Sequence, residues 1–479
     1  MKSRSCQSCS RILSKEQVEF VHTKTLELLE KIGVWVQSRE ALKVLKESGC
    51  DVSNAKRVKI PRRLVKKAIE AAPKSIEVYD RNGCLAMNLK EGQCYYGTGS
   101  DCTHHIDLYT GKRRNTTSQD VRNLARFCDA LPNIDFIMSM GIAYDAPRGS
   151  EFVNQYEAML SNTTKPVIVT GHGRNDMESM VKMAAETVGG LDELRKRPPL
   201  VLYSEPFSPL THTEMGISKC LVCCEYGIPF IYIPSPMMGG TGPVTYAGDL
   251  VQANAECLSG LAIFQAAHPG AKFIYGADAT SMDMQQAVYT YGSPELNVLN
   301  MALADLAHAY GLPFFCISGS TDAKVPDAQA GIEYALSLHA ATLNGCNLIH
   351  DCGYLESGRT SSFESILMSD EIISMLKHML KPLDITEETV ALKVIDEVGP
   401  GNIYLTHPHT LKNFRKNIWQ PRFLDRAIFE NWAEQGAKDL RQRLNEEAKR
   451  IFADHQAPAL PPAVIKKIGR IARNHIPDS

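Results

Sequence analysis

The sequence predicts an α/β protein built as a TIM (βα)8 barrel, with a helical extension before it and helices after it. Two observations lead to this prediction. From about residue 94, short apolar runs alternate with longer helix-like runs, and eight such units follow one another. Strands that alternate with helices pair in parallel, and eight such units close into a barrel. We expect an N-terminal helical extension over residues 1–90, the barrel over 91–380, and a C-terminal helical region packed on the barrel over 381–479.

The N-terminal extension shows helical spacing of apolar residues. Ser14 and Gln17 have the spacing of a capping box, which predicts a helix start, and Gly33 ends the run. Two further helices are predicted over residues 38–48 and 61–72, the first ended by Gly49 and the second begun by Pro61.

The barrel prediction depends on eight strand candidates, at residues 94–99, 135–144, 166–171, 200–205, 229–234, 272–278, 313–319 and 346–351. Residues 225–230 and 309–314 nearly repeat one another, and in each a glycine ends a helix and a proline two residues later begins a strand. A doubly wound open sheet is the alternative. No G-x-G-x-x-G motif follows the first strand, which disfavours that alternative.

The C-terminal region reads as helical again. An amphipathic helix is predicted over residues 424–453, a proline-rich break over 457–462, and a last short basic helix over 465–472. Such helices usually pack on the barrel or on another subunit.

Composition limits the classes of protein. The net charge of −2 implies no general attraction to nucleic acid or to an anionic membrane. The sequence has no apolar run of about 18 residues and no signal-peptide core near its start, so we expect a cytoplasmic protein. The 14 cysteines are expected to be reduced and mostly buried. Cys6 and Cys9 form a C-x-x-C pair, for which zinc is an alternative, although no second pair follows at finger spacing.

Polar residues end several of the predicted strands. In a TIM barrel the reactive groups lie at the carboxyl ends of the strands, so Glu205, Asp278 and His350 are the predicted catalytic residues. His350 is the strongest candidate because it ends an apolar strand with Asp351 beside it. Structural alternatives stay open: His350 as a core histidine, Glu205 as a hydrogen-bonding residue at the mouth, and Asp278 and Asp351 as metal ligands. Without a nucleophile motif, the residues alone predict a TIM-barrel enzyme with a polar mouth and aromatic walls.

Several longer motifs resemble the trimethylamine methyltransferase family. The most specific is Ser318-Gly-Ser-Thr-Asp-Ala-Lys-Val-Pro-Asp-Ala-Gln-Ala-Gly331, which is similar to that family's Thr-Asp-x-Lys element followed by Asp-x-Gln-Ala-Gly. Further matching pieces lie at residues 107–114, 129–134, 369–373 and 406–410. The resemblance covers nearly the whole chain and implies a TIM barrel.

The resemblance also implies a reaction. Family members that use trimethylamine carry pyrrolysine, whereas every residue here is one of the standard twenty. The chain therefore resembles the branch that demethylates quaternary amines such as glycine betaine, proline betaine, carnitine or γ-butyrobetaine, of which glycine betaine is the first choice. The methyl acceptor implied is cob(I)alamin on a small cognate corrinoid protein, because no DxHxxG cobalamin signature occurs in this chain. Tight binding of a cofactor by the chain itself is not expected.

Roles for the mouth residues follow from that substrate. A quaternary ammonium favours aromatic faces, and a betaine carboxylate needs hydrogen-bond donors. The predicted substrate-binding residues are Tyr96, Tyr144, His172, Phe207, Tyr354 and Arg359, and the predicted corrinoid contacts are Gly239, Gly240 and Asp322. His350 and the backbone amides of residues 239–242 are further candidate donors to the carboxylate. Asp322 and Lys324 of the signature are alternatively a structural pair.

Two other classes of function stay open. One is a different TIM-barrel enzyme, such as a lyase or a metal-dependent hydrolase, and the other is a non-catalytic quaternary-amine binding protein. For all three classes we expect a homo-oligomer with a small-molecule ligand.

Overall fold

The N-terminal extension folds into the three helices that the spacing predicts. The computed structural model describes residues 10–478, so the Cys6 and Cys9 pair lies outside the described residues. The helices are α1 Lys15–Lys31, α2 Arg39–Glu47 and α3 Arg62–Ala71, with the short strand β1 Trp35–Val36 between the first two. The capping box is present, because the Ser14 side chain accepts from the Gln17 amide and the Gln17 side chain accepts from the Ser14 amide.

A β-hairpin that the sequence did not indicate follows these helices. It consists of the antiparallel strands β2 Ile76–Tyr79 and β3 Leu85–Leu89. One face of the hairpin buries Ile76, Val78, Met87 and Leu89 against the interior side chains of the main sheet. The hairpin therefore closes the N-terminal end of that sheet, and we call it the hairpin plug.

The remaining elements alternate as predicted. The strands are β4 Tyr95–Tyr96, β5 His104–Ile106, β6 Arg113–Asn115, β7 Val167–Val169, β8 Leu200–Ser204, β9 Thr211–His212, β10 Phe230–Tyr232, β11 Met237–Met238, β12 Phe273–Gly276, β13 Thr280–Asp283, β14 Val288–Tyr289, β15 Phe314–Ile317, β16 Leu348–His350, β17 Tyr354–Leu355 and β18 Thr360–Ser361. The helices among them are α4 Ser118–Asp129, α5 Glu151–Asn162, α6 Arg174–Val188, α7 Leu191–Lys196, α8 Glu214–Tyr226, α9 Tyr246–Ala267, α10 Pro294–Tyr310, α11 Ala328–Leu343 and α12 Phe363–Met379.

Seven strands form one curled parallel sheet in the order β4-β16-β15-β12-β10-β8-β7. Seven of the eight predicted strands are thus present. The candidate at residues 135–144 is reduced to two isolated parallel bridges, from Phe136 to Gly97 beside β4 and from Ile137 to Val167 in β7. The Thr98 hydroxyl hydrogen-bonds both the amide and the carbonyl of Met138, which takes these backbone groups out of the ladder. The fold is therefore α/β with a parallel sheet whose two edges are bridged by one irregular segment.

Side chains alternate between the two faces of the sheet. In β8, Val201 faces the interior with the hairpin plug, whereas Leu200 and Leu202 pack against the surrounding helices. Ile274 in β12 and Leu348 in β16 are interior residues of the same kind. This alternation decides which later residues of each strand point into the mouth.

The C-terminal helices differ from the prediction in two places, since residues 381–421 lie almost entirely exposed instead of packed on the barrel and the helix expected over 424–453 is divided. They are α13 Glu387–Val390, α14 Leu392–Val398, α15 Pro408–Asn417, α16 Phe429–Glu434, α17 Leu440–Asp454 and α18 Pro462–Arg473. The single helix expected over 424–453 is two helices, because Gly436 and Ala437 adopt positive φ and Asp439 starts α17 with a capping box. Within residues 10–478, no helix combines the length and apolarity needed to span a bilayer.

Candidate functional site

The three predicted catalytic residues meet at the carboxyl end of the parallel sheet. Glu205 continues the inward row of Val201 and Tyr203, Asp278 continues that of Ile274, and His350 follows Leu348 in β16. Because these strands are parallel, the ends of their inward rows open on one mouth.

His350 is held between two carboxylates. Its Nδ1 lies 2.7 Å from Oδ1 of Asp351, and its Nε2 lies 3.5 Å from Oδ1 of Asp278. The Phe315 ring stacks on the imidazole with centroids 4.0 Å apart. Burial lowers the pKa of His350, but the two carboxylates outweigh burial and raise it to about 10. The imidazole is therefore cationic at neutral pH: its Nε2 hydrogen-bonds Asp278, and its Nδ1 pairs with Asp351 by charge without the geometry of a hydrogen bond.

Tyr203 joins the other two catalytic candidates. Its hydroxyl lies 2.9 Å from Oδ2 of Asp278 and also hydrogen-bonds Glu205. Burial and these two carboxylates raise the pKa of Tyr203 well above its usual value, so it stays a neutral donor. Glu205 is reached by solvent at the mouth but is crowded by protein on its other sides, and this crowding together with Asp278 raises its pKa to about 7.

A wall of tyrosines stands beside the carboxylates. The rings of Tyr289 and Tyr291 are 4.9 Å apart between centroids, and those of Tyr291 and Tyr354 are 6.3 Å apart. The Tyr289 hydroxyl donates to the backbone carbonyl of Asp278, which joins the wall to the carboxylate centre. Burial raises the pKa of all three phenols, so the wall is neutral. Neutral aromatic faces beside carboxylates form a favourable site for an organic cation.

The close approach of Tyr354 and Asp351 requires a glycine opposite them. A Cβ on Gly99 would lie 2.0 Å from Oδ1 of Asp351 and 2.4 Å from Cζ of Tyr354. A side chain at position 99 would therefore push apart the wall and the partner of His350.

Asp322 of the signature organises the wall. Its carboxylate accepts from the amides of Tyr291 and Gly292, at 2.8 and 2.9 Å, and from the Ser357 hydroxyl at 2.6 Å. These three contacts occupy most of the roughly four acceptor positions of the carboxylate and hold Tyr291 and Gly292 in place. Lys324 donates to the Asp322 backbone carbonyl at 2.7 Å, and the expected pairing of the two side chains is not observed.

The structure brings Glu205, Asp278, His350 and Tyr354 together but does not bring Tyr96 to them. Tyr96 belongs to the outward row of β4, where it is buried against helices and its hydroxyl hydrogen-bonds the Thr342 hydroxyl at 2.9 Å. Its assignment as a substrate-binding residue is therefore corrected: Tyr96 faces away from the interior, and its inward neighbour Tyr95 lies at the opposite end, where its hydroxyl accepts from the Asn88 amide of the hairpin plug.

The other predicted binding residues lie in the loops around the mouth. Tyr144 and Phe207 are 79% and 67% exposed, and Arg359 is also exposed. His172 is half-buried, with Nε2 3.4 Å from Glu151 and its ring edge-on to Phe152. Within residues 10–478, none of these four side chains hydrogen-bonds, pairs or stacks with His350 or its carboxylate partners.

Gly239 and Gly240 form a tight turn instead of an anion-binding loop. The Gly239 amide donates to the Gly242 carbonyl, and the amides of Gly240, Thr241 and Gly242 all donate to the Met237 carbonyl. The backbone donors proposed for a substrate carboxylate are thus already used, because each forms an intraloop hydrogen bond.

Metal-binding groupings are absent from the described part of the chain, where no cluster of three or more His, Cys, Asp or Glu side chains is arranged to hold an ion. His104 and His105 point to opposite sides of β5 as adjacent strand residues do, and hydrogen-bond Thr103 and Ser361 respectively.

Sequence reasoning missed Tyr203, Tyr289 and Tyr291. Each was detectable by strand alternation: Tyr203 precedes Glu205 by two residues, and Tyr289 and Tyr291 share one face of the segment that follows β13.

Comparison with known proteins gives a consistent result. The family model of the trimethylamine methyltransferases (MTTB) matches residues 3–474. The trimethylamine methyltransferase MttB of Desulfitobacterium hafniense (strain DSM 10664 / DCB-2) is 36% identical over 452 residues, covering 94% of this chain and 90% of that protein. The glycine betaine methyltransferase of D. hafniense (strain Y51) is 32% identical over 461 residues and covers 95% of each chain.

A more distant similarity is found among solved structures. The monomethylamine methyltransferase MtmB of Methanosarcina barkeri superposes with a TM-score of 0.46 at 12% identity, covering 95% of this chain and 98% of that one. The family match over nearly the whole chain and the relatives above 30% identity settle the assignment. The chain belongs to the trimethylamine methyltransferase family and is a methyltransferase.

Proposed function

We propose that the chain takes a methyl group from a quaternary amine, with glycine betaine as the first choice and proline betaine, carnitine or γ-butyrobetaine as further candidates. The methyl acceptor is cob(I)alamin carried by a separate small corrinoid protein. The observation that carries the proposal is the mouth itself, where Asp278, Asp351 and Glu205 lie beside the tyrosine wall of Tyr289, Tyr291 and Tyr354.

The charges at the mouth suit a cation that also carries a carboxylate. His350 is cationic and is offset by Asp351 at 2.7 Å, which leaves Asp278 and ionised Glu205 to face an ammonium group. The 3.5 Å contact between His350 Nε2 and Asp278 is longer than a usual N–H···O hydrogen bond, so this N–H is the donor that can turn to a substrate carboxylate. The tyrosine faces add roughly 0.5–2 kcal/mol per contact with the methylated nitrogen.

The proposed reaction requires little acid–base catalysis from the side chains of the protein. When the C–N bond breaks, the nitrogen keeps the electron pair and leaves as a neutral tertiary amine, so no proton has to be delivered to it. Cob(I)alamin supplies the nucleophile that receives the methyl group. The residues of this chain bind the ammonium group, orient one methyl toward the opening and exclude water from it.

The rim of the mouth fits a large, apolar acceptor. Four apolar side chains in the loops beyond the strand ends are strongly exposed, namely Tyr144, Phe207, Val244 and Met284. Exposed apolar groups around an opening are typical of a surface that another molecule covers. These side chains, together with the open side of Glu205, are the part of this chain that would meet the corrin ring.

Further elements of the proposal are architectural. We infer that the sheet closes as a complete (βα)8 barrel, supported by the bridges that Phe136 and Ile137 make to both edges. The chain is divided into an extension at 1–90, the barrel at 91–380 and a C-terminal region at 381–479, and it acts in the cytoplasm as a homo-oligomer.

The experiment that tests the reaction is anaerobic visible spectroscopy of cob(I)alamin, free or on a cognate carrier, mixed with the protein and each candidate betaine. We expect loss of the cob(I)alamin band with one betaine, with a methylated corrinoid as product. Asp278→Asn should abolish most of this rate, whereas Asp283→Asn, which removes a carboxylate that accepts only from the Gln285 and Gln286 amides of the nearby turn, should not.

A binding measurement tests how much of the affinity comes from the positive charge of the ammonium group and how much from the shape and carboxylate of the substrate. 3,3-Dimethylbutanoate has the shape and carboxylate of glycine betaine but a carbon in place of the cationic nitrogen. We expect calorimetry to show betaine binding at least tenfold more tightly than this neutral-headed analogue. Equal affinities, or no reaction with any betaine in the presence of carrier, would contradict the proposal.

A further inference from the structure

A long segment of the C-terminal region lies uncovered on the surface. Residues 381–421, which we call the arm, follow α12 and contain α13, α14 and α15. Within the arm only Val398 is buried. The base of the arm is fixed, because the Trp419 indole donates to the Ser374 hydroxyl at 3.1 Å and the Arg422 amide donates to Glu371 at 2.8 Å.

The arm exposes an unusual amount of apolar surface. Ten large apolar side chains in it are between 42% and 85% exposed, namely Leu383, Ile385, Val390, Leu392, Ile395, Ile403, Tyr404, Leu405, Leu411 and Ile418. Together they present about 600 Å² of apolar surface, if a fully exposed side chain of this size contributes about 100 Å². A stable interface of ordinary size covers about 800 Å² per partner, so the exposed apolar surface of the arm is of the size that an interface requires.

The charges of the arm are divided between its two halves. Residues 384–397 contain five carboxylates and one lysine, whereas residues 398–421 contain Lys412, Arg415 and Lys416 and no carboxylate. Within one chain only part of this charge is neutralised, by Lys416 with Asp384 at 3.8 Å and by Lys393 with Glu397 at 3.8 Å, while the His407 ring lies 3.3 Å from Glu397. In the described part of the chain, Glu387, Glu388, Lys412 and Arg415 are exposed and form no ion pair.

The contacts of Lys416 with Asp384 and of His407 with Glu397 place the two halves side by side, and a surface that is acidic along one side and basic along the other is complementary to itself. A twofold axis between two copies places the acidic half of each arm against the basic half of the other, so one chain satisfies both contacts. We propose that the arm is a dimerisation element, in which two copies of this chain pair arm to arm. The apolar side chains supply the burial, and the two charged halves fix the orientation of one arm on the other. This inference names an interface for the homo-oligomer proposed above and does not depend on the methyl-transfer reaction.

The test is the mass of the full-length protein in solution, measured by light scattering after size exclusion and by sedimentation velocity over a concentration series. We expect a dimer at micromolar concentration. Glu387→Lys with Glu388→Lys makes the acidic half basic, and Lys412→Glu with Arg415→Glu makes the basic half acidic. Each double variant alone should weaken dimerisation at least tenfold, because like charges then oppose each other.

A mixture of the two double variants tests the pairing of the charged halves directly. The two double variants combined should form a heterodimer, because both contacts then join opposite charges. The matched control is Lys66→Glu with Lys67→Glu on the exposed face of α3, which changes the net charge equally and should leave the dimer unchanged. Leu405→Asp with Leu411→Asp tests the apolar part and should also give monomers.

All substituted residues are exposed, so the fold should survive, and circular dichroism verifies this. A monomeric parent protein, or an oligomer that withstands all three arm variants, would overturn the proposal. So would arm variants that leave the mass unchanged and weaken only the response to the corrinoid carrier, because the arm would then serve the carrier.

Discussion

Removal of one hydroxyl at the mouth should shift the pH dependence of substrate binding. Tyr203 hydrogen-bonds both Asp278 and Glu205, and its bond to Glu205 lowers a pKa that burial and Asp278 otherwise raise. In the parent protein Glu205 ionises near pH 7, so affinity for a cationic substrate should rise as the pH passes upward through this value. Tyr203→Phe keeps the ring and deletes the donor.

The size of the shift follows from the exposure of Glu205. A hydrogen bond to a charged group contributes about 1.5–3 kcal/mol, and water reaches Glu205 and replaces part of the loss. We therefore take about 1.4 kcal/mol, which is one pKa unit. The midpoint should move from about pH 7 to about pH 8, and the ionised fraction at pH 7 should fall from about half to about a tenth. Affinity at pH 7 should then fall about fivefold.

The assay is calorimetric titration of glycine betaine, or of whichever betaine reacts, between pH 5.5 and 9. Tyr95→Phe is the matched control, because the Tyr95 hydroxyl bonds the Asn88 amide at the opposite end of the sheet's interior. It should alter stability without moving the midpoint. A Tyr203→Phe protein whose binding midpoint stays near pH 7 would refute the assignment of Glu205 as the titrating group that attracts the cation.

Three further substitutions test the site. His350→Gln should raise the KM for betaine at least tenfold and destabilise the fold by about 3–5 kcal/mol, because two buried carboxylates lose their cation; an unchanged KM would remove His350 from substrate binding. Asp322→Ala should lower kcat/KM about tenfold by releasing the Tyr291 and Gly292 amides, whereas Asp327→Ala, which uncaps α11 in the same loop, should lower only the melting temperature; equal kinetic effects of the two would show that Asp322 is merely structural. Gly99→Ala should cost about 1–3 kcal/mol of stability and most of the activity, because its methyl group would overlap Asp351 and Tyr354. The control is Gly331→Ala in α11, where the new Cβ would lie 3.8 Å from its nearest neighbour, and it should be neutral or stabilising. An active Gly99→Ala enzyme would contradict the tight packing at the mouth.

The repeated strand and helix pattern was enough to predict most of the architecture. Short apolar runs and glycine–proline junctions are local properties of the sequence, so seven strands and the three N-terminal helices were located correctly, although several strands are shorter than predicted. The segment at 135–144 was assigned as a strand because it is apolar, but the Thr98 side chain interrupts its ladder. Here a side-chain hydroxyl from a distant part of the chain replaces the backbone partner of Met138, and the sequence of the segment itself does not indicate such a contact.

The candidate site was also only partly predictable, because contacts with distant parts of the chain decide where some of its side chains lie. Glu205, Asp278 and His350 were found because polar residues at the ends of apolar strands are conspicuous. Tyr96 was wrongly assigned to the mouth because the face that a strand residue occupies is decided by the strand's partners, and a change of one residue reverses it. Gly239 and Gly240 were expected to approach a ligand, but their amides close a turn on Met237, and that depends on the conformation of the loop.

The hairpin plug has a consequence for the order of events in catalysis. Because strands β2 and β3 fill the N-terminal end of the sheet's interior, small molecules reach His350 from the side on which the methyl acceptor would dock. Under the proposed function, the methylated amine and the methyl-accepting protein therefore reach the site through the same opening. The amine enters first, the acceptor protein seals the opening, and the demethylated amine leaves only after the acceptor departs. The kinetics should therefore follow a compulsory order. A large excess of the acceptor protein should slow turnover, because it would cover the mouth before the amine has entered.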